Sequence, residues 1–334
     1  MSDQVVSVVL PVYNVESYLE QCLDSVLDQS YRNYELICIN DGSTDQSLAL
    51  LEKYLPLFEG RMCIHSQANA GLAAARNKGL DLASGTFVYF LDSDDWIDRE
   101  TLATCVRTIS VESADLVVFN AEAFCELDDV EDIDLHSYQR NLPKSLYGRD
   151  GIFVDTLKRS YIAQSCCYMY RRSSFEALRF IPGILHEDHY FSTILFIESA
   201  KTAVLKDEFF KRRIRAGSIT TQKKSLRHAE GYYITAKALH KRYQEKIYGA
   251  TLKAPFRQYL NLLLQHGIKA EYQFYQQNNR SMPITRKAEL IRMFAGLLDA
   301  KTTLLLCCAP LFYRVKSLLV SRNASAKKEA LGGV

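Results

Sequence analysis

The sequence predicts an α/β fold: a largely parallel sheet covered by helices on both sides, followed by a mainly helical carboxy-terminal extension. Two observations carry this reading. Four apolar segments, "VVSVVLPVY", "YELICIND", "RMCIHSQ" and "TFVYFLD", alternate with helical patterns over the first hundred residues. Alternation of that kind sets parallel strands side by side with crossover helices on their faces. After Leu226 the pattern becomes helical and rich in Tyr, Gln and Lys. At 334 residues and 48% hydrophobic content the chain can bury a substantial core, which excludes a disordered protein.

Each element follows from its local pattern. Leu19, Cys22, Leu23, Val26 and Leu27 recur at i, i+3, i+4, i+7 and i+8, an amphipathic helix for which Asn14 stands as the expected cap. "GSTDQSLALLEKYL" supplies the second helix, with Ser43 or Thr44 as cap, and "GLAAARNKGLDLASG" the third, ending near Gly85. "DLVVFNAEAF" reads as one further strand and the acidic run "ELDDVEDIDLH" as an exposed loop. From Gly148 the order is a helix over Asp150 to Ser160, a strand at "CCYMYRR", a helix opening at "HEDHYF", and strands at "TAVL" and "EFFKRRI".

Nine cysteines lie mostly in apolar runs, with no CxxC, and read as reduced core residues of a cytosolic protein. The start, "MSDQVVSVVLPVYN", has the pattern of neither a signal peptide nor a membrane span. The net charge of +2 conceals an asymmetry: residues 1–200 hold 15 Lys and Arg against 31 Asp and Glu, and residues 201–334 hold 26 against 8. A basic half of this kind meets an anionic membrane surface, an anionic acceptor or nucleic acid, unless it is merely a set of solvated helix faces. No nucleic-acid-binding module is recognisable, so nucleic acid is not expected as a partner. "TTLLLCCAPLFYRVKSLLV" contains ten uncharged residues from Leu304 to Tyr313, too few to span a bilayer. A membrane-associating in-plane helix near residues 302–320, or a helix docked on the protein's own core, are the two readings left open.

The chemistry should sit where strands end, because ligands of such sheets bind at the carboxyl ends of the strands. "PVYN" places Pro11 and Tyr13 at that rim, where a tyrosine can lie against a flat base. "NDGSTD" adds Asp41, a carboxylate able to accept from a ring N–H such as uracil offers. "NAGLAAARNKG" carries Arg76, whose planar fork suits a phosphate or the orienting of an acidic neighbour. "FVYFLDSDDW" then packs Asp92, Asp94 and Asp95 into four positions. Carboxylates so crowded repel one another, and hard oxygen ligands at this rim would hold Mg²⁺ or Mn²⁺ bridging to a diphosphate. Singly, each motif needs no more than a turn.

In order and spacing, "VSVVLPVYN", "ICINDGSTDQS", "NAGLAAARNKGL" and "YFLDSDDW", spanning residues 5 to about 110, resemble family 2 glycosyltransferases of the GT-A fold. The resemblance implies a Rossmann-like sheet that binds a nucleotide-diphospho-sugar. It makes Pro11, Tyr13 and Asp41 uridine contacts, and Asp92 and Asp94 the DxD pair at the ribose and the metal. Asp95 becomes a further metal ligand or a supporting group, and Trp96 lines the donor or acceptor sugar. "ILHEDHYF" is similar to the family's ED motif, which makes Asp188 the general base and Glu187 its neighbour. His186 and His189 flank the pair, but their spacing is not that of a helical zinc pair and no cysteine stands near. "RRIRAGSIT" resembles a segment approaching the diphosphate, with Arg213, Arg215 and Ser218 as candidates. Beyond about residue 225 the resemblance fades.

The implied function is an inverting, metal-dependent transfer of a sugar from a UDP-sugar to a hydroxyl of a cell-surface glycan or glycolipid: lipopolysaccharide, lipooligosaccharide or capsule. The implied protein is bacterial and cytoplasmic, peripheral on the inner face of the membrane. Residues 1–225 would form the catalytic domain, 1–110 its nucleotide-binding half and 111–225 its acceptor-binding half, with 226–334 a helical region. A dinucleotide oxidoreductase is disfavoured because the chain contains no GxG and its first turn is "PVYN". A non-catalytic scaffold that binds sugar nucleotide or glycan is the remaining alternative.

Overall fold

All seven residues of β1 (Val6–Val12) are buried. A strand covered on both faces requires such a continuous apolar run. The computed structural model describes residues 4–125, 137–215 and 223–308, which fall into two compact units divided between residues 222 and 223.

In the first unit, β1, α1 (Glu16–Leu27), β2 (Tyr34–Asn40), α2 (Ser47–Tyr54), β3 (Met62–Ser66), α3 (Leu72–Leu82) and β4 (Phe87–Phe90) follow one another. The four strands run parallel, with Val9 opposite both Ile37 and Phe90. Pairing with β4 ends at Val9 while pairing with β2 continues to Val12. Pro11 therefore sits where one side of β1 has no ladder partner, a position that tolerates a missing N–H. Then come β5 (Trp96–Ile97), α4 (Thr101–Glu112), β6 (Leu116–Val118), β7 (Ala121–Cys125), β8 (Leu146–Gly148), α5 (Gly151–Arg159), β9 (Tyr168–Arg171), α6 (Asp188–Glu198), β10 (Lys201–Val204) and β11 (Phe210–Ile214).

Eight strands form the main sheet in the order β3-β2-β1-β4-β9-β6-β10-β8, and β5-β11-β7 form a smaller one. β9 is antiparallel to both β4 and β6, and β8 to β10, so the main sheet is mixed rather than wholly parallel.

Three expectations are corrected. "DLVVFNAEAF" makes two strands in different sheets, because Asn120 leaves the first ladder: its N–H bonds to the Asp207 carbonyl and its side-chain amide to that of Lys206. Asn14 does not cap α1. Its backbone is left-handed (φ 50°) and its Oδ1 accepts from the N–H of Thr44, while the Val15 N–H bonds to Ser47 Oγ. For α2 it is Asp45, not Ser43 or Thr44, whose carboxylate accepts the N–H of Ser47. The cysteines are all free thiols; Cys22, Cys38, Cys105, Cys166 and Cys167 are buried, whereas Cys63 and Cys307 are exposed. The acidic run from Glu126 lies outside the described residues.

One glycine sets the seat of α3. A Cβ on Gly79 would lie 2.2 Å from Val9 Cγ1, so the helix rests on β1 at a distance that a side chain forbids.

The second unit comprises α7 (Leu226–Glu245), α8 (Lys253–Gln277), α9 (Ile284–Met293) and α10 (Ala300–Cys307). α7 and α8 pack along each other, with the Tyr233 ring over Gly267. Tyr233 donates to buried Glu271 (3.0 Å), which also pairs with Arg286 (2.7 Å). Among the described residues no helix is long and apolar enough to cross a membrane. The expected membrane-associating segment passes out of the described residues after Cys308.

Candidate active site

The end of β4 and the start of α6 converge on one guanidinium. Arg76, on α3, is 1% exposed. Its Nη1 donates to Glu187 Oε1 and to Asp188 Oδ1, each at 2.8 Å, and its Nη2 donates to Asp92 Oδ1 at 2.7 Å. Its plane lies 5.3 Å from the Phe180 ring and 6.0 Å from that of Phe90. Phe180 in turn stacks on Phe191 of α6 (4.1 Å, 8°). A lone cation would be costly here, and three carboxylates make it tenable. Burial opposes the charge, but Asp188, Asp92 and Glu187 outweigh it and hold Arg76 protonated. Of the two roles expected for Arg76, the geometry supplies the orienting of acidic neighbours.

The approach to α6 is a tight turn: Gly183 and His186 both take positive φ, 77° and 64°. Burial raises the Glu187 carboxyl to about 7, Asp188 adds to this, and Arg76 opposes it. Asp188 is also raised, first by burial and then by Asp92, against the pull of Arg76. Sequence reasoning missed Asn77, whose side chain accepts from the Phe180 N–H (2.8 Å) and donates to the Phe180 carbonyl (2.9 Å), fixing the segment that leads to α6. The one available signal was its place beside Arg76 in "ARN".

On the other side of the rim, Tyr13 follows β1 and is 49% exposed, while Pro11 is buried. Asp41 is buried and accepts from Gln67 Nε2 (2.7 Å) and from the N–H groups of Ala70 (2.9 Å) and Gly71 (2.8 Å). This carboxylate thus builds the loop before α3, and its remaining lone pair is what a ligand could use. Gly42 (φ 75°) makes room: a Cβ there would lie 2.9 Å from the Asn69 backbone nitrogen.

The three aspartates after β4 have different surroundings. Asp92 is partly exposed and held by Arg76. Asp94 is partly exposed and accepts from Arg215 Nε at 2.8 Å; burial and then Asp92 raise its pKa, and Arg215 opposes them. Asp95 is buried and accepts the Arg213 N–H at 2.6 Å, tying the rim to β11. Burial, then Asp94 and Asp92, push it well above the usual range. Arg213 also donates to the Asp94 carbonyl (3.0 Å) and to Gln21, and lies 5.1 Å from the Trp96 ring. Trp96 is half-buried against Phe124 (4.2 Å) in the smaller sheet. Ser218 lies outside the described residues.

Among the described residues no three His, Cys, Asp or Glu side chains are arranged to hold a metal. A Mg²⁺-like ion needs no such cage when it shares substrate phosphates, for which one or two carboxylates suffice. Asp92 and Asp94, partly exposed on one rim, fit that donor set, whereas buried Asp95 does not.

The mixed sheet has the GT-A, Rossmann-like architecture, with these groups at its strand ends. Residues 7–179 match the family described as Glycosyl transferase family 2, and the chain belongs to that family. It is 35% identical over 223 residues to the glycosyltransferase GlyA of Streptococcus pneumoniae, covering 65% of this chain and 32% of GlyA. It is 34% identical over 243 residues to the putative glycosyltransferase EpsH of Bacillus subtilis, covering 70% of this chain and 69% of EpsH. The chain thus spans about a third of the first relative and about two thirds of the second. In fold it is similar to residues 1–349 of S. aureus TarS in complex with UDP-GlcNAc: TM-score 0.66, 20% identity, 92% of this chain and 87% of that one.

Proposed function

We propose that the protein is an inverting, metal-dependent transferase that moves one sugar from a UDP-sugar to a hydroxyl of a growing surface glycan: lipopolysaccharide, lipooligosaccharide or capsule. The observation that carries this is Arg76, which holds Asp92 at the end of a donor-side strand and Asp188 at the head of α6 on one side chain. The UDP-GlcNAc complex of TarS supports the choice of donor.

In this reading the Tyr13 ring lies against uracil and Asp41 accepts its ring N–H, with Pro11 shaping the floor. Asp92 binds the ribose. Asp92 and Asp94 would hold Mg²⁺ or Mn²⁺, which when bound would supply positive charge beside the departing diphosphate. Arg213 of β11 and Arg215 just past it approach that diphosphate, and Asp95 positions Arg213 rather than ligating the ion. Asp188 accepts the proton of the acceptor hydroxyl as its oxygen attacks the anomeric carbon from the face opposite the diphosphate. The new C–O bond forms as the old one breaks, and configuration inverts. Arg76 orients Asp188, and Glu187 completes the charge balance around the guanidinium. Trp96 lines the sugar site.

We assign the donor half to residues 1–110, the acceptor half to 111–225, and peripheral attachment at the cytoplasmic face of the membrane to the basic helical region from 226. UDP release from a panel of UDP-sugars tests the reading, with Mn²⁺ or Mg²⁺, then EDTA, with and without a lipid-linked glycan extract. Metal-dependent release from one donor, raised by the extract, supports it. Silence across the panel with no metal-dependent UDP binding rejects it in favour of a scaffold.

A further inference from the structure

α9 buries Leu290 against its unit and shows Ile284, Ala288 and Ile291 to solvent. These three recur at i, i+4 and i+7, one stripe of a helix. Ile284 is 83% and Ile291 39% exposed. α10 repeats the arrangement: Thr302, Leu305 and Leu306 are buried, while Thr303, Leu304 and Cys307 are exposed, with Leu304 at 46%. The two stripes are neighbours, because Lys287, at the border of the first, donates to the Cys307 carbonyl at the end of the second (3.2 Å).

The charge around them is net positive. Residues 280–301 hold five Lys and Arg and two acids. Both acids are already engaged: Glu289 pairs with Arg286 (3.0 Å), and Asp299 caps α10 by accepting the Thr302 N–H (2.7 Å). Arg280, Arg292 and Lys301 are exposed around the stripes. Apolar stripes bordered by cations are what an interfacial helix presents to a bilayer, its apolar face entering the headgroup boundary and its cations meeting anionic lipid.

We propose that the outer face of α9 and α10 is a docking surface for an anionic lipid bilayer. Charge complementarity selects this occupant. A second copy would bring the same positive charge, 26 Lys and Arg against 8 acids over residues 201–334, and residues 309–334 carry five basic residues and one acid. The surface would bring the catalytic unit to glycolipid acceptors at the membrane. It deepens the membrane attachment proposed above by naming the surface and rests on the proposed function for the choice of acceptor, and its test uses neither donor nor acceptor.

The test is co-sedimentation of the full chain with vesicles of phosphatidylcholine, alone or mixed with phosphatidylglycerol, in low and high salt. Two variants accompany it: I284S/I291S, which removes the stripe, and R292E/K301E, which keeps the stripe and reverses the charge. The expected result is binding to anionic vesicles only, weakened by salt and reduced about tenfold in each variant, with UDP affinity and melting temperature unchanged. Absence of binding to anionic vesicles overturns the proposal, as does binding that both variants retain. So does a wild-type dimer that I284S/I291S converts to monomer, since a second copy would then cover the face. An oligonucleotide bound more tightly than the vesicles would assign the charge to nucleic acid instead.

Discussion

Arg76 and Asp188, 112 residues apart in the chain, are joined by a charge-assisted hydrogen bond of 2.8 Å in the interior of the first unit. The same side chain reaches Asp92, so the strand-end aspartates and the head of α6 cannot move independently. Replacing Arg76 by Ala strands three buried or half-buried carboxylates, and breaking a buried pair from one side costs about 3–5 kcal/mol. Chemical denaturation should show a loss of that order. Arg76→Lys should rescue it only in part, because an ammonium is a point charge and cannot bridge three acceptors with a planar fork.

The second prediction concerns pH and stability. Glu187 is raised from 4.5 to about 7, first by burial and then by Asp188, against the pull of Arg76. The folded protein therefore keeps this proton at pH values where the unfolded chain has lost it. The associated stability is fully present below the unfolded pKa and is lost as pH rises through about 7. Melting temperature should fall across that interval, and E187Q, which cannot titrate, should flatten the fall. Identical slopes in the two proteins would count against it.

Asp188 is raised in the same direction. A general base must be ionised, so the acid limb of the pH dependence of kcat/KM should lie above that of a free aspartate. A limb at the pKa of a free aspartate would assign the base elsewhere.

Asp94→Ala should weaken both metal and UDP binding, because it removes a partly exposed carboxylate from the rim and releases Arg215. Calorimetric titration of UDP with and without Mn²⁺ measures this. Unchanged affinity for both would remove Asp94 from the metal site.

Gly79→Ala sets a side chain 2.2 Å from Val9 Cγ1. Overpacking of this kind costs about 1–3 kcal/mol, and the denaturation midpoint should fall accordingly. Because α3 carries Arg76, the same variant should also lower turnover.

The fold and the rim were largely legible, for identifiable reasons. The buried strands of the first hundred residues are continuous apolar runs, and Pro11, Asp41 and Asp92 sit where those runs stop. What stayed hidden depends on contacts remote in sequence. "DLVVFNAEAF" reads as one strand until the backbone at residues 206 and 207 bonds to Asn120. Asn14 satisfies every local rule for a cap, but the loop at Thr44 takes its side chain. Arg76 carried an orienting role as one of two readings, and that it would gather Asp92, Glu187 and Asp188 together could not be read from spacing. Asn77 acts on backbone 103 residues away, and nothing but its place beside Arg76 marks it.

The most direct test of the account is a comparison of wild type with D188N for sugar transfer and for UDP affinity, using the donor that the panel identifies. General-base catalysis contributes roughly 10²–10⁴-fold, so D188N should lose transfer on that scale while binding UDP like the wild type. Turnover equal to wild type in a D188N protein that binds UDP normally would contradict the assignment of Asp188 as the base that Arg76 holds against the donor rim.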